Sequence, residues 1–167
     1  MIEMKVRGIV MDQDCKQPMV VLTDQSEKIC LPIWIGVPEA TAIFIQLSDQ
    51  VAARPMSHDL IKSVIEALGA KVVKVLVNDI NQNTFFARIF LESTSTGGKF
   101  DLDARPSDAI ALALRTGSPI FLAEKVVVAP GVTVVDKEKN RDEMAKFKKF
   151  LEHLSPTDFN IPGKNKP

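Results

Sequence analysis

Six segments of the chain are rich in apolar and β-branched residues, and several of them alternate with polar residues. Alternation with a period of two is typical of β-strands that bury one face. The pattern predicts six strands in two groups of three, at residues 4–12, 18–23, 28–35, 71–79, 84–93 and 99–103. Short polar turns separate the strands within a group, so each group is predicted to form an antiparallel meander.

Three other segments carry apolar residues at helical spacing. Helices are predicted at residues 39–50, where little polar face remains, and at residues 109–116, which Gly117 ends. Between them, Ser57 begins an amphipathic helix on which Asp59 is expected to face water. We expect the apolar stripe of this helix to be buried, and the stripe consists of Leu60, Ile61, Val64, Ile65 and Leu68.

The order of three strands followed by a helix occurs twice, which predicts an internal duplication. The fold class is therefore predicted to be α+β, with both units in one mixed or barrel-like sheet and the helices packed outside it. The duplicated domain is expected to span residues 1–135, with repeats at about 1–70 and 71–135. Further short strands are predicted at residues 118–123 and 126–135.

The segment after this domain is predicted to form one helix and a tail. Residues 136–155 contain an apolar stripe at helical spacing beside a cluster of lysines, which favours a C-terminal helix. Residues 156–167 contain prolines, a glycine and lysines, which indicates a flexible tail.

Composition restricts the function classes. The 167 residues carry a formal net charge of zero, so any site for a polyanion must be a local patch of the surface. The two cysteines, Cys15 and Cys30, are expected to be free thiols in a reducing compartment, with a bridge between them as the alternative. No secretion signal and no apolar run of about 18 residues occur, which predicts a cytoplasmic protein with no membrane partner. Apolar surface is expected to make it a homo-oligomer.

Acidic and basic residues are concentrated where the predicted strand at residues 99–103 leads into a helix. Asp101 and Asp103 share one face of this strand, about 7 Å apart. Arg105 and Asp108 lie at the helix start, where the helix dipole favours an acid. A similar Arg-Pro corner, with Ser, His and Asp just after it, occurs at residues 54–59.

The chain has no tyrosine and no Gly-rich phosphate loop, HExxH, CxxC or Gly-x-Ser-x-Gly motif, so most familiar enzyme classes are unsupported. The acids and arginines at the helix starts remain, and they predict phosphodiester chemistry. Carboxylates provide hard oxygen ligands for Mg²⁺ or Mn²⁺. The metal ligands are predicted to be Glu39, Asp101, Asp103 and Asp108. Arg54 and Arg105, with Ser107, are predicted to bind the phosphate of a substrate. The catalytic residues are predicted to be Asp101, Asp103, His58 and Arg105.

Each of these residues also has an interpretation that needs no substrate. Acids on an edge strand usually form a solvated face, and an Asp or Ser at a helix start is usually a cap. The arginines can pair with neighbouring aspartates and hold a loop against a helix. His58 lies on the stripe side of its helix, so it is either a packing residue or a general base or metal ligand.

Three segments in order along the chain resemble the bifunctional nuclease family. They are LPIWIG at residues 31–36, RPMSHDL at residues 54–60 and DLDARPSDAIALA at residues 101–113. The resemblance covers about residues 1–135 and implies an α+β domain and, as in plant members, hydrolysis of both RNA and DNA. It assigns no catalytic residues. The candidate residues on the matching positions are Glu39, Arg54, His58, Asp59, Asp101, Asp103, Arg105 and Asp108.

We therefore expect a nuclease that acts on single-stranded RNA and DNA with the assistance of a divalent metal ion. The two Arg-Pro corners are expected to approach each other if the duplicated halves pack with pseudo-symmetry. The first alternative is a non-catalytic regulatory domain that binds an anion or a protein. The second is a structural assembly subunit without a ligand.

Overall fold

The structure of the protein is a computed structural model, and it describes residues 1–12, 16–48, 50, 52–128 and 133–134. The strands in this part are β1 (Ile2–Met11), β2 (Pro18–Asp24), β3 (Ile29–Trp34), β4 (Ala70–Asn81), β5 (Thr84–Ser93), β6 (Lys99–Ala104), β7 (Ile120–Leu122) and β8 (Thr133–Val134). The helices are α1 (Val37–Leu47), α2 (Ser57–Ala67), α3 (Pro106–Thr116) and α4 (Glu124–Val127). None of these helices is long and apolar enough to cross a membrane.

The strands form one mixed sheet in the order β6-β5-β4-β7-β1-β2-β3-β8. The β1–β2–β3 and β4–β5–β6 segments are the two antiparallel meanders that the sequence predicts. The short strand β7 joins them, since it pairs antiparallel with β1 and parallel with β4. The predicted α+β class is thereby confirmed. Both meanders lead into a helix, α1 or α3, so the element order agrees with the duplication, which stays a prediction.

The helices α1 and α3 pack against each other and against the sheet, with α1 on β1 and β2 and α3 on β4 and β5. The packed face of α3 is rich in alanine, and the alanines at 109, 111 and 113 are each 1% exposed or less. Small side chains let helix backbones approach closely, which brings the start of α3 near α1 and α2. On the sheet side, the core includes Val75, Val77 and Ala87, none of which is more than 1% exposed.

The predicted buried stripe of α2 is wrong in the described part of the chain. Leu60 is 60% exposed and Leu68 is 78% exposed, and Ile61 and Val64 are also exposed. The side of α2 that faces α3 and β4 instead carries His58, which is buried, and Lys62 and Ile65, which are half-buried. Amphipathic spacing identifies an apolar face of a helix but does not identify the surface that covers it.

The chain after β7 also departs from the prediction. Strand was expected at residues 126–135, but Val126 lies in α4 and is completely buried, while β8 provides the strand. A hydrogen bond from the Ala123 amide to the Val77 carbonyl and an ion pair between Lys125 and Asp79 hold this turn against β4. Cys30 is a buried free thiol. Cys15, the predicted C-terminal helix at 136–155 and the tail at 156–167 lie outside the described residues.

Candidate functional site

The N-terminus of α3 forms the centre of the candidate site. Arg105 is the N-cap residue and has an extended backbone, and Pro106 follows at the first helical position. The Arg105 side chain folds back over the first turn of the helix. Its Nε lies 2.7 Å from Asp108 Oδ2 and its Nη2 lies 3.1 Å from Asp108 Oδ1. This two-point contact fixes the plane of the guanidinium group.

Glu39 approaches the same guanidinium group from the first turn of α1. Its Oε1 lies 2.9 Å from Arg105 Nη2, and its side chain is 15% exposed, against 67% for Arg105. Gly36 allows this position, since a Cβ atom at residue 36 would overlap with Glu39 Oε2. The Leu31–Gly36 motif therefore contributes space for the carboxylate that follows it.

His58 joins the cluster from the first turn of α2. Its Nε2 lies 3.1 Å from Asp108 Oδ1, and the residue is 8% exposed. The contact connects two sequence motifs whose residues are 50 positions apart. The hypothesis that the two corners approach each other is thus confirmed at His58 and Asp108. We call Glu39, His58, Arg105 and Asp108 the acid–arginine cluster.

Hydrogen bonds and ion pairs within this cluster shift the pKa values of Asp108 and Arg105. Burial alone would raise the pKa of Asp108, but hydrogen bonds from Arg105 and His58 and the arginine charge outweigh it, so the pKa of the carboxyl is lowered. The same hydrogen bond to Asp108 raises the pKa of Arg105 above its ordinary value. With a neutral His58, the cluster holds one positive and two negative charges.

A second ion pair lies beside the cluster. Asp59 Oδ1 is 2.6 Å from Nε of Arg115, whose side chain is 3% exposed. Arg115 also donates from Nη1 to the carbonyl oxygens of Ala42 and Ala111, at 3.1 and 3.0 Å. Burial would raise the pKa of Asp59, but the Met56 amide and Arg115 donate hydrogen bonds to it and lower that pKa. Asp59 therefore does not simply face water, as the sequence predicted, because it neutralises a buried arginine.

Arg115 is not among the candidate residues that the sequence patterns predict, although the chain contains a usable signal. It lies seven residues after Asp108, two helical turns later on the same face of a helix that is otherwise rich in alanine and leucine. A single charge on such a face must find a partner when the face is buried.

Arg54 lies apart from the acid–arginine cluster, by the contacts of the described residues. It lines a cleft of about 470 Å³ between α1, the segment before α2, and the end of α3. The remaining lining residues are Ile45, Gln46, Gln50, Ala52, Ala53, Pro55, Asp59 and Arg115.

The predicted residues on β6 are also separate from the cluster. Cross-strand pairing places Asp103 opposite Arg88 and Ala104 opposite Ala87, which is buried under α3. Since strand residues alternate between faces, Asp101 and Asp103 lie on the face away from α3. Asp101 Oδ1 lies 2.5 Å from Arg88 Nε. Ser107 is 6% exposed in the first turn of α3.

The four predicted metal ligands consequently divide between two faces of the sheet. Glu39 and Asp108 lie on the helix side, and Asp101 and Asp103 lie on the other side. Within the described ranges, no group of three or more His, Cys, Asp or Glu side chains is suited to hold a metal ion. The predicted four-carboxylate site is therefore not formed by these residues.

Comparison with known proteins identifies the family. Residues 20–134 match the family model described as the bifunctional nuclease domain. The chain is 37% identical over 164 residues to a Mycobacterium tuberculosis protein named as uncharacterized, covering 94% of this chain and 97% of that protein. It is 26% identical over 124 residues to Bifunctional nuclease 1 of Arabidopsis thaliana, covering 73% of this chain and 38% of that protein.

A further relative is Bifunctional nuclease 2 of Oryza sativa subsp. japonica, with 29% identity over 135 residues. That match covers 78% of this chain and 41% of the rice protein, so the chain spans less than half the length of these plant relatives. The family model covers most of the chain and all of the acid–arginine cluster. The resemblance inferred from the three motifs is confirmed, and the chain belongs to the bifunctional nuclease domain family.

Proposed function

We propose that the protein hydrolyses phosphodiester bonds of single-stranded RNA and DNA at the acid–arginine cluster. The observation that carries this proposal is the 3.1 Å contact between His58 Nε2 and Asp108 Oδ1. A carboxylate that accepts a hydrogen bond from one ring nitrogen orients a histidine so that the other nitrogen can transfer a proton. The plant relatives named as bifunctional nucleases support the same reaction class.

Each residue of the cluster has a chemical role in this proposal. Arg105 is the most exposed member, and its Nη1 donates no hydrogen bond to the residues that the structure describes, so it can donate to a phosphate oxygen. His58 takes a proton at Nδ1 from a water molecule, whose oxygen forms the new bond to phosphorus. The bond from phosphorus to the leaving sugar oxygen breaks, this oxygen takes a proton from solvent water, and His58 afterwards releases its proton to solvent. Glu39 and Asp108 position the guanidinium group.

Assistance by a divalent metal ion stays a prediction. The described residues do not provide the predicted set of four carboxylates in one place, so no step of the proposed reaction is assigned to a metal ion. The sequence-based roles of Asp101, Asp103 and Ser107 likewise stay predictions. Chelation and substitution of Asp103 test them directly.

A second candidate function is binding without turnover, and the state of Arg105 favours it. Two carboxylates already contact its guanidinium group, so the cluster carries a net negative charge when His58 is neutral. Such a cluster attracts a phosphate less strongly than a free arginine does. In this function the cluster holds α1, α2 and α3 together, and an anionic ligand binds elsewhere.

The proposal includes a homo-oligomer, formed through the exposed face of α2. Four large apolar side chains lie on this face, namely Leu60, Ile61, Val64 and Leu68. Contiguous exposed apolar surface is typical of protein interfaces. A second copy is the proposed partner, because the formal net charge of zero gives no overall repulsion between copies. A cytoplasmic location is also part of the proposal.

The decisive experiment is cleavage of labelled single-stranded RNA and DNA by the purified protein, in Mg²⁺, Mn²⁺ or EDTA. The variants are His58→Gln, Asp108→Asn and Asp103→Asn, and Asp79→Asn is the matched control because Asp79 is an exposed carboxylate that pairs with Lys125. We expect cleavage to fall about 100-fold or more in His58→Gln and Asp108→Asn, and to persist in the control.

Cleavage that persists in folded Asp108→Asn and His58→Gln would contradict the proposed centre. Loss of cleavage in Asp103→Asn alone would instead place the reaction on the face of β6 that carries Asp101 and Asp103. If the wild-type protein cleaves neither polymer under any of these conditions, binding without turnover becomes the better conclusion. Loss of cleavage in EDTA, with recovery in Mg²⁺ or Mn²⁺, would establish the metal requirement.

A further inference from the structure

The cleft that Arg54 lines carries a positive charge that no carboxylate neutralises among the residues that the structure describes. Arg54 is exposed, and it makes no ion pair or hydrogen bond with the residues that the structure describes. Asp59 lies in the same wall, but Arg115 already neutralises it at 2.6 Å. The cleft therefore favours an anionic ligand, unlike the acid–arginine cluster, in which two carboxylates surround one arginine.

The rest of the lining suits a ligand with polar edges and an apolar body. The side-chain amides of Gln46 and Gln50 have no hydrogen-bond partner in the described ranges, and each offers both a donor and an acceptor. The apolar part of the wall comes from Ile45, Ala52, Ala53 and Pro55. The volume of about 470 Å³ falls within the range of roughly 300–1,000 Å³ that small-molecule sites occupy.

The position of the cleft relates it to the proposed reaction centre. Asp59 in its wall directly follows His58, and Arg115 lies seven residues after Asp108 on α3. Seven residues correspond to about 10 Å along a helix axis. Because stacked nucleotides rise about 3.4 Å each, this length of α3 equals the rise of about three nucleotides.

We infer that this cleft is a nucleotide-binding subsite for the single-stranded substrate, with Arg54 on the phosphate and Gln46 and Gln50 on the sugar or base. The inference rests on the proposed function for the identity of the polymer, but not for the binding itself. It assigns the anion-binding role within the cleft to Arg54, while Arg105 and His58 keep their proposed roles at the phosphate that is cleaved.

Binding of adenosine 5′-monophosphate (AMP) to the full chain tests this inference without any chemistry. The side-chain amide signals of Gln46 and Gln50 in a nitrogen–proton NMR spectrum report the cleft and not the acid–arginine cluster. We compare the wild type with Arg54→Gln and with Arg7→Gln, which removes the same charge from an exposed arginine that pairs with Glu27. We expect AMP to shift both signals in the wild type and in Arg7→Gln, and to bind at least about tenfold more weakly to Arg54→Gln.

Two outcomes overturn the inference. In the first outcome, AMP at millimolar concentration does not shift either glutamine signal. In the second, Arg54→Gln binds AMP as tightly as the wild type does. Cleavage assays on the same samples separate this failure from failure of the proposed function. If the protein cleaves the polymers but AMP does not bind in the cleft, the subsite is rejected and the proposed nuclease activity stands. If AMP binds in the cleft but neither polymer is cleaved, the nuclease activity is rejected and the nucleotide site stands.

Discussion

Arg115 Nε lies 2.6 Å from Asp59 Oδ1, so the end of α3 is bound to the first turn of α2 by an ion pair whose arginine is almost fully enclosed. The same arginine donates to a carbonyl oxygen of α1. One side chain thus connects the three helices that surround the candidate site. His58 directly precedes Asp59, and its position relative to Asp108 depends on this connection.

Removal of the carboxylate should destabilise the protein. We expect Asp59→Ala to lower the free energy of unfolding by about 2 kcal/mol, because Arg115 would be left buried without its partner. The value is below that of a fully enclosed pair, since Asp59 is 36% exposed. Glu66→Ala is the control, because it breaks an exposed pair with Lys62 on the same helix and should cost much less. Urea unfolding measures both variants, and equal effects would contradict the structural role of Asp59.

Acidic pH should lower the free energy of unfolding through protonation of Asp59 and Asp108. Both carboxyls have a pKa below the ordinary value of 3.8 in the folded protein, so the folded state holds their protons less tightly than the unfolded state does. Their contribution to stability is therefore complete above the ordinary pKa and is lost as the pH falls below it. Unfolding measured between about pH 5 and about pH 3 should show a smaller decline in Asp59→Asn than in the wild type. Parallel declines would show that this ion pair does not contribute.

His58 and Asp108 should act as one unit in catalysis. We expect Asp108→Asn and His58→Gln each to lower kcat by about 100-fold, and the double variant to lose little more than either single variant. The reason is that Asp108 acts by orienting His58 through the hydrogen bond to Nε2. Kinetics of the two single variants and the double variant measure the coupling. Fully additive losses would mean that the two residues act independently.

Gly36 should be required for the correct position of Glu39. A Cβ atom at this residue would overlap with Glu39 Oε2, so Gly36→Ala should displace the carboxylate from Arg105. We expect cleavage to fall about tenfold, which corresponds to one charge-assisted hydrogen bond. Gly98→Ala is the control, since it adds the same methyl group in the turn before β6. Equal rates in the two variants would show that the contact between Glu39 and Arg105 has no effect on the reaction.

The exposed face of α2 should determine the oligomeric state. Leu68→Glu places a charge in its most exposed part, and light scattering should then show a smaller species than the wild type. Val128→Glu changes another exposed apolar residue, 85% exposed at the end of α4, and should leave the mass unchanged. The same mass for Leu68→Glu and the wild type would place any interface elsewhere.

Local sequence features predict most elements of this fold well. The two meanders lie where the apolar segments and polar turns place them, and Pro106 and Gly117 mark the start and end of α3. The sequence also identifies Arg105, Asp108 and His58 as candidates, because charged groups at a helix start can be recognised from the local pattern. These features depend on neighbouring residues, and neighbouring residues are what a sequence pattern records.

Features that depend on distant contacts could not be predicted in this way. The spacing of Asp101 and Asp103 shows that they share a face of β6, but which face α3 covers depends on how the strands assemble. The stripe of α2 is similar, because apolar spacing alone cannot show that α3 and β4 contact a different side of the helix. The pair between Arg115 and Asp59 joins residues 56 positions apart, which no local pattern reports.

The three-residue strand β7 has a consequence for how the protein folds. Within the described sheet, β7 is the strand that joins the two meanders, and it enters the chain after α3. Each meander can form from local contacts. The two meanders join only when residues 120–122 pair with both of them, and closing the chain in this way has a high entropic cost. Glu39 and His58 precede β4, whereas Arg105 and Asp108 follow it. We expect the acid–arginine cluster to assemble only in the step that pairs β7 with β1 and β4, so a chain in which β7 is unpaired should lack activity.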